Sequence, residues 1–202
     1  MKIALLTDGI SPYVVGGMQK HSAYLAKYLV LNGVDLDLFH CVNSNDEIPS
    51  NKDINNFFFQ SNVKSFSNIY TFIFPTSYKF PGHYLYNSYR YSKKVFEKIE
   101  DIDKYDFIYV KGFVGWKLLR EKKRNNYNFK IGVKFHGYEM FQFAPSFKVK
   151  LQHYLLRYFV KWNNLNADYV FSYGGKITDI IKDFGIPNNK IIEIPTAIEK
   201  DW

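Results

Sequence analysis

Hydrophobic and polar positions along this chain follow two alternating rhythms. Short continuous apolar runs occupy residues 2–7, 35–41, 106–111, 130–135, 168–173 and 190–194, with a further candidate at 56–60. Runs of this length, closed by turn residues, suit strands buried on both faces of a parallel sheet. Between them lie segments with helical spacing at 17–31, 84–99, 115–123, 146–163 and 176–184. The first carries Ala23, Leu25, Ala26 and Leu29 on a helical period and ends at Asn32-Gly33, while Gly185 and Pro187 stop the last. Strand–helix–strand repetition predicts right-handed crossovers and a Rossmann-like, doubly wound, mostly parallel α/β sheet with helices on both faces. Residues 44–82 break the rhythm. Rich in Asn, Ser and Phe, with Pro49, Pro75 and Pro81, they read as an irregular excursion holding one strand at most.

Composition narrows this picture. A chain of 202 residues suits one generous domain, and 47% hydrophobic content with 19% aromatics rules out disorder for its bulk. Lys and Arg total 27 against 19 Asp and Glu, a net charge of +8. That excess favours acidic partners (phosphates, nucleic acid or an anionic membrane) and equally serves as solubilising surface charge. Cys41 is the single cysteine, so neither a disulfide framework nor a thiolate metal site is expected. The first residues are too short for a signal peptide, and no run of about twenty apolar residues could span a bilayer. A cytoplasmic location is the expectation.

Candidate chemistry begins with the loop from Asp8 to His21. It joins an apolar strand to a helix start, where backbone N–H groups lack partners and the helix dipole favours anions. Gly16 and Gly17 carry no side chain, so a phosphate can approach the backbone; a purely structural turn accounts for a glycine pair as well. The loop has neither the Gly-x-Gly-x-x-Gly spacing of dinucleotide sites nor the Lys-Ser/Thr ending of a P-loop. Tyr13, Gln19, Lys20 and His21 place polar donors around the same terminus. His136-Gly137 comes directly after a strand, and ligands of open α/β sheets bind beyond the strands' carboxyl ends. His136 is therefore a candidate, beside the alternative of a structural histidine. His153, inside a helix, reads as structural, and His40 and His83 give no signal.

On the helix at 146–163, Lys150, His153, Arg157 and Lys161 fall in one narrow stripe. Phe147, Leu151, Tyr154, Leu155, Tyr158 and Trp162 form a wide apolar face, and Val149, Leu156 and Val160 flank the stripe on its other side. The pattern suits contact with anionic lipid through Lys150, Arg157, Lys161 and Trp162, or a sheet-packing helix with a solvated stripe. The segment 84–98 invites the same two readings. Nucleic acid is not an expected partner: no helix-turn-helix, ribonucleoprotein or zinc pattern is present. No nucleophilic triad can be assigned. No Asp-x-Asp metal motif that would hold a nucleotide-sugar through a divalent ion is read, and no metal or cofactor is expected.

Three features taken together resemble retaining glycosyltransferases of the GT-B fold, of the group 1 type. They are Gly16-Gly17-Met-Gln-Lys-His21 running through Tyr24–Leu29 to Asn32-Gly33-Val34-Asp-Leu-Asp-Leu38; His136-Gly137 at a strand end; and Ala167-Asp168-Tyr-Val-Phe-Ser172, Phe184-Gly-Ile-Pro187 and Ile194-Pro-Thr-Ala-Ile198. The linker of such enzymes usually reads Pro-Asn-Gly-Ile/Val-Asp where this chain has Pro195-Thr-Ala-Ile-Glu199, and their first helix often has Glu where this chain has Gln19. The resemblance implies one half of a GT-B fold. Residues 1–195 would be the N-terminal acceptor-binding domain, 196–202 would begin the interdomain linker, and the C-terminal donor domain would be absent. It implies a full enzyme moving a sugar from a nucleotide-sugar donor, with retention, to a saccharide or lipid-linked acceptor, in cell-surface polysaccharide or glycan biosynthesis. Gly16 and Gly17 would meet the diphosphate, His136 the transferred sugar, and Tyr13, Gln19 and His21 the acceptor. The isolated chain would be inactive. Two rivals remain at this point: a self-contained, flavodoxin- or receiver-like ligand-binding module, and half of a sugar-nucleotide epimerase.

Overall fold

The computed structural model describes residues 1–43, 47–60, 64–99 and 101–195. Seven strands, β1 (Lys2–Leu6), β2 (Asp35–Val42), β3 (Asn68–Ile73), β4 (Phe107–Lys111), β5 (Ile131–Lys134), β6 (Tyr169–Ser172) and β7 (Ile191–Glu193), form one sheet in the order β3-β2-β1-β4-β5-β6-β7. All six pairings are parallel. Among the described residues six α-helices connect them: α1 (Gly17–Leu31), α2 (Asn51–Phe59), α3 (His83–Lys98), α4 (Trp116–Asn125), α5 (Phe147–Asn166) and α6 (Lys176–Asp183).

The sheet divides the core in two because successive strand side chains point to opposite faces. Ile3 and Leu5 of β1 pack with Ala23 and Ala26 of α1 and with Ile54 and Phe58 of α2. Ala4 and Leu6 pack on the other face, with residues of α3, α4, α5 and α6. The chain thus winds outward from β1 in one direction and from β4 in the other, placing the topological switch point between β1 and β4. Gly132 lets β5 pass under two rings: a Cβ there would lie 2.5 Å from Phe171 and 2.6 Å from Phe107.

One expectation is corrected. Residues 56–60 are not a strand, for all but the last belong to α2. Ser50 caps that helix by accepting from the Asp53 amide, and Ile54, Phe58 and Phe59 bury one side while Phe57 stays exposed, a helical period hidden inside a continuous apolar run. The strand of this excursion is β3, whose Tyr70 and Phe72 pack against the core on alternate positions. On α5 only part of the wide apolar face packs: Leu155 and Trp162 lie against the core, beside Leu156 and Phe159. Val160, Asn163 and Asn164 are buried, whereas Phe147, Tyr154 and Tyr158 stand exposed. Each asparagine donates to a carbonyl one turn back, Phe159 and Val160. Asn164 Oδ1 also accepts from Tyr138 Oη, so Asn164 buries at little cost, whereas Asn163 Oδ1 is buried without a partner. Among the described residues no helix is long and apolar enough to cross a membrane.

Candidate functional site

Strands β1, β4, β5 and β6 end together, and the residues just beyond their ends converge on the start of α1. Lys111 closes β4 and Lys134 closes β5, side by side in register. Both side chains are buried, at 0% and 1% exposure. Lys111 Nζ donates to Ser22 Oγ at 2.8 Å, to Met18 O at 3.3 Å and to His21 Nδ1 at 3.0 Å. Where Lys111 is an ammonium it has no acceptor lone pair, so His21 Nδ1 is then the unprotonated nitrogen and Nε2 carries the proton. Lys134 Nζ has no hydrogen-bond partner and lies 3.8 Å from the centre of the Tyr173 ring. Tyr173 Oη in turn reaches the His136 ring, with N–O distances of 3.2 and 3.1 Å. The His21 and His136 rings meet edge to face with centroids 5.3 Å apart.

This cluster is rich in cationic groups and poor in carboxylates. Burial, then Lys111 and Lys134, lower the His21 imidazole to about 4. Burial and the same neighbours, together with His21, lower His136 to about 3. Both rings are neutral at physiological pH and offer N–H donors rather than charge. Burial pulls Lys111 down to about 7 against the partial support of Asp8, and burial alone lowers Lys134 to about 8. Asp8 is pushed upward by burial, which outweighs the attraction of Lys111, and its Oδ1 lacks a partner.

The glycine pair stands at the rim of this cluster. Gly17 opens α1 with no side-chain cap and no acidic residue in the first turn, leaving an exposed start to the helix. Gly16, at φ 156°, has a conformation that favours glycine, and a Cβ there would fall 2.2 Å from Gln19 Oε1. Gly17 is different: a Cβ there would meet nothing within 4 Å.

The sequence candidates do not all converge. His21 and His136 come together. Gln19 turns toward Gly16 and helps line a cavity of about 200 Å³ with Asp8, Cys41, Tyr84, Ser88 and Phe113. Tyr13 lies on the far side of the loop, its ring 6.5 Å from His40 and 6.4 Å from Phe57. On α5, Lys150 is exposed, Arg157 donates to Met140 O, Lys161 sits 5.9 Å from the Phe184 ring centre, and Trp162 is half-buried beside α4. Sequence reasoning missed Asp8, Lys111, Lys134 and Tyr173 as site residues. The signal was present: a charged residue at the last position of an otherwise apolar buried strand has its head at the sheet's carboxyl end.

No group of three or more His, Cys, Asp or Glu among the described residues is placed to hold a metal ion. The chain does contain Asp-x-Asp spacings, Asp35-Leu36-Asp37 and Asp101-Ile102-Asp103. Asp35 and Asp37 start β2, and Asp101 and Asp103 shortly precede β4, so both pairs lie at the amino end of the sheet, across from the cluster.

Solved structures share this architecture. The apo form of a lipopolysaccharide outer core galactosyltransferase, WaaB, superposes with a TM-score of 0.55 at 14% identity over 99% of this chain and 47% of its own. The catalytic domain of starch synthase IV from Arabidopsis thaliana, bound to ADP and acarbose, gives 0.55 at 13% identity over 99% of this chain and 52% of its own. A UDP-GlcNAc 2-epimerase from Neisseria meningitidis, bound to UDP-GlcNAc, also gives 0.55 at 12% identity, over 96% and 45%. This chain therefore spans about half the length of these proteins. At such identities the likeness establishes the fold, one half of a GT-B structure, and does not separate a transferase from an epimerase. No curated protein sequence matches the chain. The two are separated by the sequence profile of Glycosyltransferase Family 4, which matches residues 15–202 and so takes in the glycine pair, His136 and the chain beyond them. The chain belongs to Glycosyltransferase Family 4.

Proposed function

We propose that residues 1–195 are the acceptor-side domain of an enzyme that transfers a sugar from a nucleotide diphosphate donor with retention, and that residues 196–202, outside the described residues, begin the linker to the donor domain. The observation that carries this reading is the meeting, at the start of α1, of an uncapped helix terminus, two neutral imidazoles and two buried lysine ends. A diphosphate leaving group needs N–H donors and positive potential placed before the reaction begins. Gly16 and Gly17 would supply backbone N–H groups, with Lys111 and Lys134 setting the potential behind them. His136 would orient the transferred sugar by donating a hydrogen bond. His21, with its proton on Nε2 when Lys111 is charged, would do the same for an acceptor or phosphate oxygen.

The acceptor would be a saccharide or a lipid-linked saccharide of a cell-surface or glycan pathway, handled at the inner face of the cytoplasmic membrane. Gln19 and the cavity beside Asp8 would receive its reacting end, since aromatic walls with a few polar groups suit a sugar ring. Tyr13 would contact the acceptor only through a part extending over the loop toward α2. The reading assigns no role to a divalent ion. Nuclear magnetic resonance titration of the 202-residue chain with UDP and ADP tests it. Weak binding should shift the Gly16 and Gly17 amides and the His21 and His136 imidazoles, without sugar transfer from a nucleotide-sugar. Unmoved signals at these four residues would remove the diphosphate role, and turnover by this chain alone would overturn the half-site reading.

A further inference from the structure

The groove between residues 79–85 and the first half of α5 belongs to no part of the cluster around His21 and His136. Its volume is about 500 Å³, with Leu85, Leu151, Leu155 and Leu156 lining it and Lys79 and Lys148 among its polar residues. Next to its lining residues large side chains stand in water: Tyr78 is 95% exposed, Phe147 83% and Tyr154 73%. Clustering of this kind on a surface marks an interaction site. The charge of the two segments is one-sided. No Asp or Glu occurs between Ile54 and Phe96, or between Met140 and Ala167, in a chain with 19 such residues; Lys79, Arg90, Lys148 and Lys150 all fall inside those stretches.

We propose that this groove docks the chain on an anionic lipid bilayer, its leucine lining taking an acyl or prenyl tail while Lys79 and Lys148 meet headgroup phosphates. Exposed aromatics between lysines have the composition of a membrane interface, where rings sit at headgroup depth and ammonium groups reach outward. A second copy of the chain would bring like charges together across the same apolar surface, which disfavours it as the occupant. Of the stripe from Lys150 to Lys161, all three cations are exposed, but Arg157 donates to Met140 O and Lys161 lies beside the Phe184 ring, so Lys79 and Lys148 at the groove are the cations the proposal uses. The geometry also suits the site: α3 and α5 come after β3 and β5, so the groove opens near the edge that carries His136. This inference does not depend on the transferase reading, since vesicle binding involves no sugar chemistry.

Co-sedimentation with vesicles of phosphatidylcholine alone, or mixed with phosphatidylglycerol, tests it on the 202-residue chain. Binding to the anionic vesicles should exceed binding to neutral ones about tenfold and weaken with salt. The pairs F147S/Y154S and K79E/K148E should each cut it about tenfold. Their side chains lie on the surface, and circular dichroism checks that the fold survives. The pair K123E/R124E on α4 should leave binding near wild type, save for the small loss expected of any two surface charges. Equal binding to both vesicles, no binding, or a loss confined to the α4 pair would overturn the proposal.

Discussion

At the amino edge of the sheet the carboxylates have partners. Asp37, with a fully buried side chain, accepts from Tyr105 Oη at 2.6 Å and Asn68 Nδ2 at 2.8 Å, with Lys2 and Lys104 each 3.8 Å away. Asp106 accepts from the Lys2 amide, and Asp168 holds both the Ile131 amide and Lys122. At the carboxyl edge the balance is reversed. Lys134 is buried without a hydrogen-bond partner, Lys111 is satisfied by neutral groups, and Asp8 has an unpartnered oxygen. Unpaired buried charge costs free energy, so a fold retains it where something besides folding requires it. One edge holds strands in register; the other gathers the cationic groups that the proposed diphosphate role would use.

The amino edge should show the largest stability effect. Asp37→Ala leaves Tyr105 and Asn68 without their acceptor and removes the carboxylate from two nearby lysines. Loss of one partner from a buried charged network costs about 3–5 kcal/mol, measurable by urea unfolding. A loss below about 1 kcal/mol, the scale of exposed ion pairs, would remove the contrast between the edges.

Lys134→Met should act in the opposite direction. It replaces a buried ammonium without a hydrogen-bond partner, whose close contact is the Tyr173 ring, with an apolar chain of similar length that can still pack on that ring. The change is neutral to stabilising by about 1 kcal/mol. The same change should weaken UDP binding about tenfold, one charge–phosphate contact being worth roughly 1.4 kcal/mol on the affinity scale. Destabilisation with unchanged UDP affinity would make Lys134 a structural residue and leave the carboxyl edge no different from the amino one.

The pH dependence of the melting temperature distinguishes the edges without mutation. His21 and His136 have folded values of about 4 and about 3 against 6.5 when unfolded. Between these limits the unfolded chain binds more protons, so stability falls as pH drops from about 6.5 toward 4. The lysines extend the trend upward. With Lys111 at about 7 and Lys134 at about 8 against 10.5, their contribution rises with pH from about 7. Above about 9 the buried Cys41 thiol and buried tyrosines, which burial holds protonated, oppose it. The melting temperature should therefore climb from acid to mild alkali by several degrees. The double variant His21→Gln with His136→Gln should flatten the acid limb, leaving the slope owed to buried His40, which also falls to about 4.

Legibility in the sequence varied with the physical origin of each element. The six strands read correctly are apolar runs closed by polar or turn residues, a signal that parallel pairing makes nearly independent of context. Helix α1 was legible at both ends, with Gly16-Gly17 before it and Asn32-Gly33 after it. Helix α2 was not, because Phe57, Phe58 and Phe59 read as a run and only the Ser50 cap and tertiary burial reveal their helical phase. The site was half legible. His136 and the glycine pair stand at element junctions, whereas Lys111, Lys134 and Tyr173 acquire meaning only from the order β1-β4-β5-β6, which sets them side by side. The packing phase of α5 was likewise hidden, since buried Asn163 and Asn164 read as polar positions until their bonds to Phe159 and Val160 are seen.

The smallest stability effect gives the cleanest separation of fold from ligand. Gly17 is exposed, a Cβ there meets no atom within 4 Å, and the residue opens α1. Gly17→Ala should change stability by no more than about 0.5 kcal/mol, with helix propensity favouring Ala. The added methyl nevertheless sits at the backbone N–H groups assigned to the diphosphate, so UDP affinity should drop about tenfold. Gly16→Ala cannot serve this purpose, because its φ of 156° and the 2.2 Å approach to Gln19 Oε1 would disturb the loop as well. Unchanged UDP affinity in Gly17→Ala would leave the buried lysines as the anion site and reduce the glycine pair to a turn.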